Sequence, residues 1–435
     1  MTDPIAIIIL LGGFALLMTL KVPVAFALAL SAFASAYYFG GGTTFLPIVA
    51  QQMVSGVRPF TFMAIPFFII AGNLMGEGGI GTRMIGLADA LVGRVRGGLA
   101  MVNVLSSKFF GTVSGSVVAD TSALGTIMIP MMEKQGYDKE FATANTVTSS
   151  IVGLLIPPSH NMIIFAMAAG GGVSIAALFL AGIGPALVLG VGLMIVSYAI
   201  SVKKKYPKSR KYTLMETLKL AVDGFLGILT IVIIVGGIST GMFTATEASV
   251  IAVVYAFIIT FFWYREIPIT RFWGIMKKSV RTVAMVMAII AASSAFGYMM
   301  TILRVPDMAT NAILAISDNP IIILLLINVI LLVLGLVMDM APMILITTPI
   351  LMPVATGVGG MGTIQFGIVL LLNLGISLIT PPVGTVLFVG CSIAKTKIEA
   401  VIKPLLPYYA VMIAVLLLVT FVPQISMWLP DVLLD

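Results

Sequence analysis

Apolar runs of about 20 residues recur from one end of the chain to the other, separated by short stretches rich in Gly, Pro or charge. A helical run of this length crosses the roughly 30 Å hydrocarbon core of a bilayer. Helices satisfy their backbone hydrogen bonds internally, as a membrane interior requires. The pattern predicts an all-α polytopic membrane protein with about five spans in each half. The first run, 5–20, lacks a basic leader and a cleavage site, so we expect a retained helix rather than a signal peptide.

Composition supports the same class. Of 435 residues, 60% are hydrophobic and 9% are charged, whereas soluble proteins carry about 25% charged residues. The net charge of +7 is explained by Lys and Arg in cytoplasmic loops and does not indicate nucleic-acid binding. A single cysteine, Cys391, excludes an intramolecular disulfide, and a single histidine, His160, argues against a transition-metal site. Walker A, GxSxG and HExxH motifs are absent from the sequence, so we expect a protein that is not an enzyme.

Two proline pairs interrupt runs that are otherwise apolar enough to span a membrane. They lie in LLIPPSHNMII, 154–164, and in LITPPVGTVLF, 378–388. Proline removes a backbone donor and costs about 3 kcal/mol in a helix interior. Broken backbone at membrane depth is tolerated where it lines a site enclosed by protein. We therefore expect two broken helices, at about 140–169 and 364–394, to surround a binding site.

The proline pairs belong to a longer internal repeat. Their sequence positions differ by 224 (381 − 157), while Asp120 and Pro130 differ by 219 from Asp339 and Pro349 (339 − 120, 349 − 130). The Gly-rich stretch TGVGGMGT is expected to absorb the difference. Matching interruptions in two inverted halves are typical of secondary transporters that bind their solute near the bilayer midplane. The predicted division is a first inverted repeat at 1–202, a basic linker at 203–219 and a second inverted repeat at 220–435.

Charge predicts the sidedness of the loops. The stretches 203–219 and 265–281 are rich in Lys and Arg and should be cytoplasmic. Two helices, at about 224–243 and 247–264, would form an out-and-back pair between them. The uncharged loops GGGVS and TGVGGMGT suit the opposite side. The two halves would then insert with opposite orientation, with both termini outside.

Two segments are too polar or too short for one continuous span. Residues 109–125 are rich in Gly and Ser and are flanked by apolar stretches that each reach about half a bilayer. We interpret this region as a re-entrant helical hairpin at about 99–133, with its tip at TVSGS. Its counterpart at about 321–355 turns at MDMAP. Each hairpin is expected to face the proline break of its own half.

Such hairpins and breaks gather hydroxyl, carboxylate and carbonyl oxygens, the ligands that a hard cation such as Na⁺ prefers. A substrate carboxylate would meet helix N-terminal amides. The predicted Na⁺ ligands are Ser114, Ser116, Asp120, Pro158, Ser159, Met338, Asp339, Thr380, Pro381 and Thr385. The predicted substrate contacts are Ser116, Ser159, Asn161, Gly384 and Thr385.

Plainer roles compete with these. Asp120 and Asp339 each precede a helical run and can be N-caps, a role compatible with ion binding; we expect Asp339 to matter more, since MDMAP offers fewer other oxygens. His160 is interpreted as a polar loop residue. Glu247 suits the first turn of a helix, with an alternative role in assembly. The helix interior also carries threonines that are expected to bond their own backbone: Thr143, Thr146 and Thr148.

Six motifs, in order along the chain, carry a resemblance to a known family: KVPVAFAL, GTVSGSVVAD, GLLIPPS, GMFTATEASVIAVVYA, GLVMDMAP and ITPPVGTVLFV. Together they resemble the large membrane subunit of TRAP (tripartite ATP-independent periplasmic) transporters. The resemblance implies Na⁺-coupled uptake of a small organic acid, such as a C4-dicarboxylate or sialic acid, across the bacterial inner membrane. It also implies an elevator motion of the kind found in the ion transporter superfamily, braced by interfacial arms at 46–57 and 266–279.

The same resemblance implies two partners, a periplasmic substrate-binding protein and a small membrane subunit of about four helices. Because this chain starts at the first large-subunit helix, the small subunit is expected to be a separate chain. The alternative is a stand-alone Na⁺/anion symporter of the same superfamily that needs no binding protein. A structural subunit and a channel are further alternatives, and the paired interruptions argue against the first of these.

Overall fold

The computed structural model describes residues 3–209, 212–382 and 384–434, and it leaves the side chains of Val113 and Ser114 outside this description. Within these ranges the chain is helical, and its β-structure is one isolated antiparallel bridge between Arg96 and Lys208. The predicted all-α class is confirmed.

The helices of the first half begin close to the amino end and continue to the linker. They are α1 Pro4–Thr19, α2 Val24–Phe39, α3 Leu46–Val57, α4 Phe60–Glu77, α5 Ile80–Val92, α6 Gly98–Ser114, α7 Val117–Lys134, α8 Lys139–Leu154, α9 His160–Ala168 and α10 Ile175–Lys203. A short 3₁₀ turn, Thr43–Phe45, joins α2 to α3.

The second half follows a similar order. Its helices are α11 Leu214–Ser239, α12 Ala245–Tyr264, α13 Ile269–Ile302, α14 Val305–Leu314, α15 Pro320–Gly335, α16 Met340–Gly357, α17 Thr363–Ser377, α18 Thr385–Ala394, α19 Ile398–Phe421 and α20 Gln424–Leu434. The end of α12 is wound as a π-helix, Ile259–Tyr264.

Seven helices in the described part of the chain are long and apolar enough to cross a membrane: α4, α10, α11, α12, α13, α16 and α19. Shorter apolar helices accompany them, among them α1, α2, α15, α17 and α18. Several of the shorter helices belong to the interrupted segments, which is why they do not reach spanning length. The prediction of a chain with many apolar helices is thus confirmed.

Local capping explains where the out-and-back pair begins. In α11, Thr213 and Glu216 form a capping box, with the Glu216 carboxylate accepting from the Thr213 backbone N–H at 2.8 Å. The helix therefore starts inside the stretch that the sequence predicted as linker, well before 224. Helix α12 starts with the same device, formed by Thr244 and Glu247. The predicted second arm, 266–279, is mostly the beginning of the long helix α13 rather than a separate segment.

Two hairpins and two broken helices form the centre of the fold. Hairpin 1 is α6 and α7, which pack on each other, and hairpin 2 is α15 and α16. The first broken helix is α8 and α9, and the second is α17 and α18. Helix α8 packs against both arms of hairpin 1, and α17 packs against both arms of hairpin 2. The segment that follows each break packs on the hairpin of the other half, so that the second segments are exchanged between the halves: α18 packs on α7, and α9 packs on α16.

A second hydrophobic core lies outside this centre. It joins α1, α2 and α3 to the later part of α13, with Leu28, Phe296 and Met299 fully buried among them. The earlier part of α13 packs on α4, which also packs closely on α12. The molecule thus has a central group of interrupted helices and an outer group of continuous ones, with α13 in contact with both.

The two ends of the molecule differ in charge. At one end the loops are tied together by Arg83 and Glu266 (2.7 Å), by Asp89 and Tyr212 (2.5 Å), and by the ion pair of Lys204 with Asp138. At the other end the uncharged loops at 169–174 and 240–244 lie close together beside the start of α4. This difference is the one that the positive-inside rule associates with a cytoplasmic and an outer surface.

Candidate functional site

The first helix break lies against the tip of hairpin 1. Helix α8 ends at Leu154 and α9 begins at His160, with Pro157 and Pro158 buried between them. At the tip, Gly115 has φ +55°, and a Cβ at this position would lie 2.6 Å from the Pro158 carbonyl oxygen. Only glycine fits such a close approach in this conformation. Hairpin 1 therefore faces the break of its own half, as predicted.

The hydroxyl of Ser159 is available at this break. Ser159 is fully buried in the N-cap position of α9, yet its Oγ makes no hydrogen bond within the described residues. A buried polar atom without a partner is costly and requires an explanation. Across the gap, Ser116 caps α7 by accepting from the Ala119 N–H at 3.5 Å. Asn161 follows in the first turn of α9 and is buried; the predicted side-chain ligand Ser114 lies outside the described side chains.

Asp120 is the most deeply buried acid of the predicted site. It is 1% exposed, and neither carboxyl oxygen makes a hydrogen bond of standard geometry, although the Ser107 hydroxyl lies beside it. It stands four residues after the N-cap Ser116, so the capping alternative is wrong for Asp120. A Cβ on Gly153 of α8 would lie 3.4 Å from its Oδ2. A buried carboxylate costs several kcal/mol unless it binds a proton or a cation.

The second helix break offers a similar hydroxyl. Helix α17 ends at Ser377 and α18 begins at Thr385, whose Oγ1 is buried and has no hydrogen-bond partner in the described structure. Gly384 has φ +29°, and a Cβ there would lie 3.1 Å from the Thr380 carbonyl oxygen. The Thr380 hydroxyl itself donates to the Ile376 carbonyl at 2.8 Å. The Thr380 carbonyl is therefore a more available ligand than its hydroxyl. The neighbouring Pro381 is partly exposed.

Asp339 has a different environment from Asp120. It is exposed, and its carboxylate accepts from the Met340 N–H at 2.9 Å, so it is the N-cap of α16 and the capping alternative is correct here. Met338 precedes it in the turn and is partly exposed. The expectation that Asp339 matters more than Asp120 remains a prediction, and this geometry argues against it.

The helix bounds also change the pairing of the two hairpins. The sequence positions of α7 and α16 differ by 223 at both ends (340 − 117, 357 − 134). This offset pairs Pro130 with Pro353 and Asp120 with the buried Met343, rather than with Asp339. The predicted pairing at an offset of 219 differs from this one by about one helical turn, because it matched the acid and proline identities instead of the helix starts.

The helix crossings repeat with the offset of the proline pairs. A Cβ on Gly111 would lie 2.2 Å from Gly153 Cα, and a Cβ on Gly335 would lie 2.5 Å from the Ser377 side chain. Gly111 and Gly335 are 224 positions apart in the sequence, and so are Gly153 and Ser377 (335 − 111, 377 − 153). Each hairpin therefore crosses its broken helix at a position where a small residue permits close backbone approach.

A cavity of about 600 Å³ separates hairpin 1 from the outer helices. Its polar lining residues are Asn73, Glu77, Ser116, Ser122, His160, Lys278 and Thr282. His160 begins α9 and is not the loop residue that we predicted. Lys278 and Glu77 form an ion pair at 3.1 Å on the wall formed by α13 and α4. Sequence reasoning missed both, since the pair Lys277–Lys278 was interpreted only as cytoplasmic surface charge.

Other polar side chains have the plain roles expected of them. The hydroxyls of Thr143, Thr146 and Thr148 each donate to the carbonyl four residues earlier at 2.8 Å. Glu247 accepts from the Thr244 N–H at 2.8 Å and is exposed. These contacts account for the four side chains without a binding role.

The sequence has relatives of known family. The chain matches the family described as "Tripartite ATP-independent periplasmic transporter, DctM component" over residues 11–425. The isethionate TRAP transporter permease protein DctMQ of Oleidesulfovibrio alaskensis is 39% identical over 98% of this chain and 66% of its own length. Two proteins of Vibrio cholerae are each 37% identical. The sialic acid TRAP transporter large permease protein SiaM aligns over 95% of both chains, and the C4-dicarboxylate TRAP transporter large permease protein DctM over 96% of both.

The fold also has a solved counterpart. The YdaH transporter of Alcanivorax borkumensis superposes with a TM-score of 0.61 over 94% of this chain and 98% of its own, at 12% sequence identity. This likeness concerns the fold alone, whereas the sequence match spans nearly the whole chain. The chain belongs to the DctM family, the large permease component of TRAP transporters.

Proposed function

We propose that this chain carries a small organic anion across the bacterial inner membrane, driven by Na⁺, after a periplasmic binding protein delivers it. The relatives are named for sialic acid, C4-dicarboxylates and isethionate, all of which are anions at neutral pH. The isethionate relative, named DctMQ, extends beyond the region that this chain matches, which supports a second, smaller membrane subunit as partner. The proposed substrate class is thus an organic acid that carries at least one negative charge at neutral pH.

One observation carries the Na⁺ part of the proposal. Buried oxygens that make no hydrogen bond of standard geometry in the described structure lie beside both breaks, on Asp120 and Ser159 in the first half and on Thr385 in the second. Hard cations bind such oxygens, and unwound backbone adds carbonyls without adding full charges. A bound Na⁺ would satisfy atoms that are otherwise costly to bury. The first site would combine Asp120, Ser159 and the Pro158 carbonyl; the second would combine Thr385 and the Thr380 carbonyl.

We further propose an elevator motion of two inverted repeats. The equal offset of the two Gly crossings supports the repeats. Exchange of α9 and α18 between the halves makes the hairpins and broken helices one packed unit. The outer helices α1 to α3 have a hydrophobic core of their own with α13. Helix α13 contributes to this core and to the main one, and the central unit would slide past α1 to α3 while carrying the ion sites with it.

The test is Na⁺-titrated uptake by the complete complex reconstituted in vesicles, with sialic acid, succinate and isethionate as probes. Ser159→Ala and Thr385→Val should each raise the Na⁺ concentration for half-maximal uptake by about tenfold, equivalent to the loss of one ligand contact of ~1.4 kcal/mol. Thr148→Val is the matched control, because its hydroxyl is buried but bonds its own helix. Uptake that does not depend on Na⁺ would contradict the coupling. Uptake by this chain without a binding protein would establish the stand-alone symporter instead.

A further inference from the structure

The cavity beside hairpin 1 has two walls of different character. The outer wall belongs to α4 and α13 and carries Glu77, Lys278 and Thr282. The inner wall belongs to hairpin 1 and the start of α9 and carries Ser116, Ser122 and His160. Its volume of about 600 Å³ lies within the roughly 300–1,000 Å³ of small-molecule sites. The cavity therefore separates the central group of helices from the outer group at the point where the first break meets the hairpin tip.

We propose that Lys278 binds the anionic group of the transported solute, and that Glu77 forms the ion pair with this lysine when no solute is bound. The inference rests on the proposed function, since it takes the solute to be an organic anion. It assigns a solute-binding residue to the outer group of helices, whereas the hydroxyls and breaks of the predicted site all belong to the central group.

The ion pair has the properties of an exchangeable contact. Lys278 Nζ lies 3.1 Å from Glu77 Oε1, and the two side chains are 60% and 37% exposed. Such a pair contributes little to stability, because water and salt screen it. A carboxylate or sulfonate can therefore replace Glu77 at small cost, while a neutral solute cannot. The lysine ammonium suits this exchange, since it is a compact charge with three donors on a flexible stem.

The wall around the pair is held in place. Asn73, one turn before Glu77 on α4, donates to the Ser279 hydroxyl of α13 at 2.9 Å, and Ser279 in turn donates to the Ile275 carbonyl at 2.9 Å. These contacts fix the two helices beside the pair while leaving its own side chains at the cavity surface. Lys278 thus presents its charge from a rigid wall towards Ser116 and His160 opposite. A solute anion held at Lys278 would place the rest of the molecule against the hairpin.

The first experiment measures the charge of the cavity without any solute. Cys391 is the single cysteine, so Cys391→Ser followed by Ala119→Cys gives one reporter thiol at an exposed position in the cavity lining. The rates of its modification by an anionic and a cationic methanethiosulfonate reagent are compared in inside-out vesicles. Lys278→Met should lower the anionic-to-cationic rate ratio about tenfold, and Glu77→Gln should raise it by a few fold.

Lys277→Met is the matched control, because Lys277 neighbours Lys278 on α13, is exposed, and does not line the cavity. It should leave the ratio within about twofold of the unsubstituted value. An equal effect of Lys277→Met and Lys278→Met would show a diffuse surface potential and overturn the proposal. A reporter thiol that reacts with neither reagent would also overturn it, since the cavity would then be closed to charged solutes.

The second experiment measures solute affinity in the complete complex. For whichever of sialic acid, succinate or isethionate is taken up, Lys278→Met should raise the KM about tenfold, which is ~1.4 kcal/mol. Lys278→Arg should keep most of the affinity, and Glu77→Gln should lower the KM or leave it unchanged. Wild-type uptake with an unchanged KM in Lys278→Met would overturn the lysine's role while leaving the proposed function intact. Absence of Na⁺-dependent uptake by the wild type would contradict the proposed function, and the thiol rates would still decide the charge of the cavity.

Discussion

The two hairpins share one helix arrangement but hold their acids in different environments. Each consists of two helices that cross a broken helix at a small residue, Gly111 in hairpin 1 and Gly335 in hairpin 2. Hairpin 1 buries the carboxylate of Asp120 without a hydrogen-bond partner of standard geometry, whereas hairpin 2 exposes the carboxylate of Asp339 as a helix cap. Similar backbones therefore place acids in environments that differ in both burial and hydrogen bonding.

An acid at a similar sequence position in each hairpin therefore does not establish a shared role. Asp339 has a backbone N–H to satisfy and water to solvate it, so its charge is inexpensive. Asp120 has neither, and the residue at the structurally corresponding position, Met343, is apolar and buried. An ionisable residue buried within a membrane segment indicates function unless a partner explains it. We expect the two hairpins to contribute unequally to ion binding.

The largest effect should come from Asp120. Asp120→Asn should lower Na⁺-dependent uptake about 100-fold, because a charged ligand is replaced by a neutral one of the same shape. The purified protein should unfold at the same or a higher temperature, since a buried charge has been removed. Na⁺ titration of uptake and a thermal melt of the same preparation check both parts. A variant with wild-type Na⁺ dependence would remove the proposed asymmetry between the hairpins.

The crossings should differ in their tolerance of a methyl group. Gly111→Ala places a Cβ 2.2 Å from the Cα of Gly153, and backbone on both sides prevents adjustment. Gly335→Ala meets both the Cβ and the Oγ of Ser377 at 2.5 Å; the Oγ can rotate away, whereas the Cβ moves only with the backbone of α17. We expect Gly111→Ala to destabilise the fold by about 3 kcal/mol and Gly335→Ala by about 2 kcal/mol. Thermal melts compare the two, with Gly236→Ala as the control, because a Cβ there meets nothing within 4 Å. Equal losses would contradict the difference in packing.

Substitution of Asp339 should change the stability of the start of α16 rather than the binding of Na⁺. Asp339→Ala removes an N-cap and should cost about 1 kcal/mol of stability. Asp339→Asn keeps a capping oxygen and should restore most of that loss. Neither change should shift the Na⁺ concentration for half-maximal uptake by more than about twofold. A tenfold shift in Asp339→Asn would restore the role that the sequence predicted for this acid.

The smallest effect concerns the base of hairpin 1. The ammonium of Lys204, hydrogen-bonded to Asp138 in the loop between α7 and α8, holds the pKa of that carboxyl below its usual range. Its folded pKa lies below the unfolded one, so the pair contributes stability above about pH 4 and loses it as the pH falls through the folded value. Both side chains are nearly half exposed, so the contribution is at most about 1 kcal/mol.

Thermal melts between pH 7 and 3 check this dependence. Asp138→Asn should lower the melting temperature slightly at pH 7 and match the wild type at the lowest pH. The loop that ends hairpin 2, at 358–362, carries no charged residue and offers no equivalent contact. A difference between Asp138→Asn and wild type that persists unchanged at low pH would contradict an electrostatic origin.

Several features of the fold followed from the sequence because they depend on local physics. The length of apolar runs predicted the many helices, and the proline pairs located breaks that the structure places between Leu154 and His160 and between Ser377 and Thr385. The N-cap alternative for Asp339 and the first-turn position of Glu247 were also stated correctly, since the chemistry of a helix start involves only a few neighbouring residues.

The remaining features depend on long-range packing. No local signal places Lys278 beside Glu77, which lies in the other half of the sequence, or α9 against hairpin 2. The register between the hairpins likewise depends on helix starts that the structure supplies, Val117 and Met340. Pro130 and Pro353 each lie 13 residues after those starts (130 − 117, 353 − 340), whereas the sequence interpretation matched Pro130 with Pro349.

The exchange of second segments between the halves has a consequence for biosynthesis. A Cβ on Gly125 in hairpin 1 would lie 3.3 Å from Ile393 of α18, which leaves the ribosome only after most of the second half has been made. At about 5–20 residues per second, hairpin 1 must wait roughly 15–50 s for the helix that completes its packing. During that interval the face of α7 around Gly125 is already in the membrane without the helix that finally packs on it. Slowing translation between the two halves should therefore expose hairpin 1 to membrane proteases, while the same delay placed after Phe421 should have no such effect.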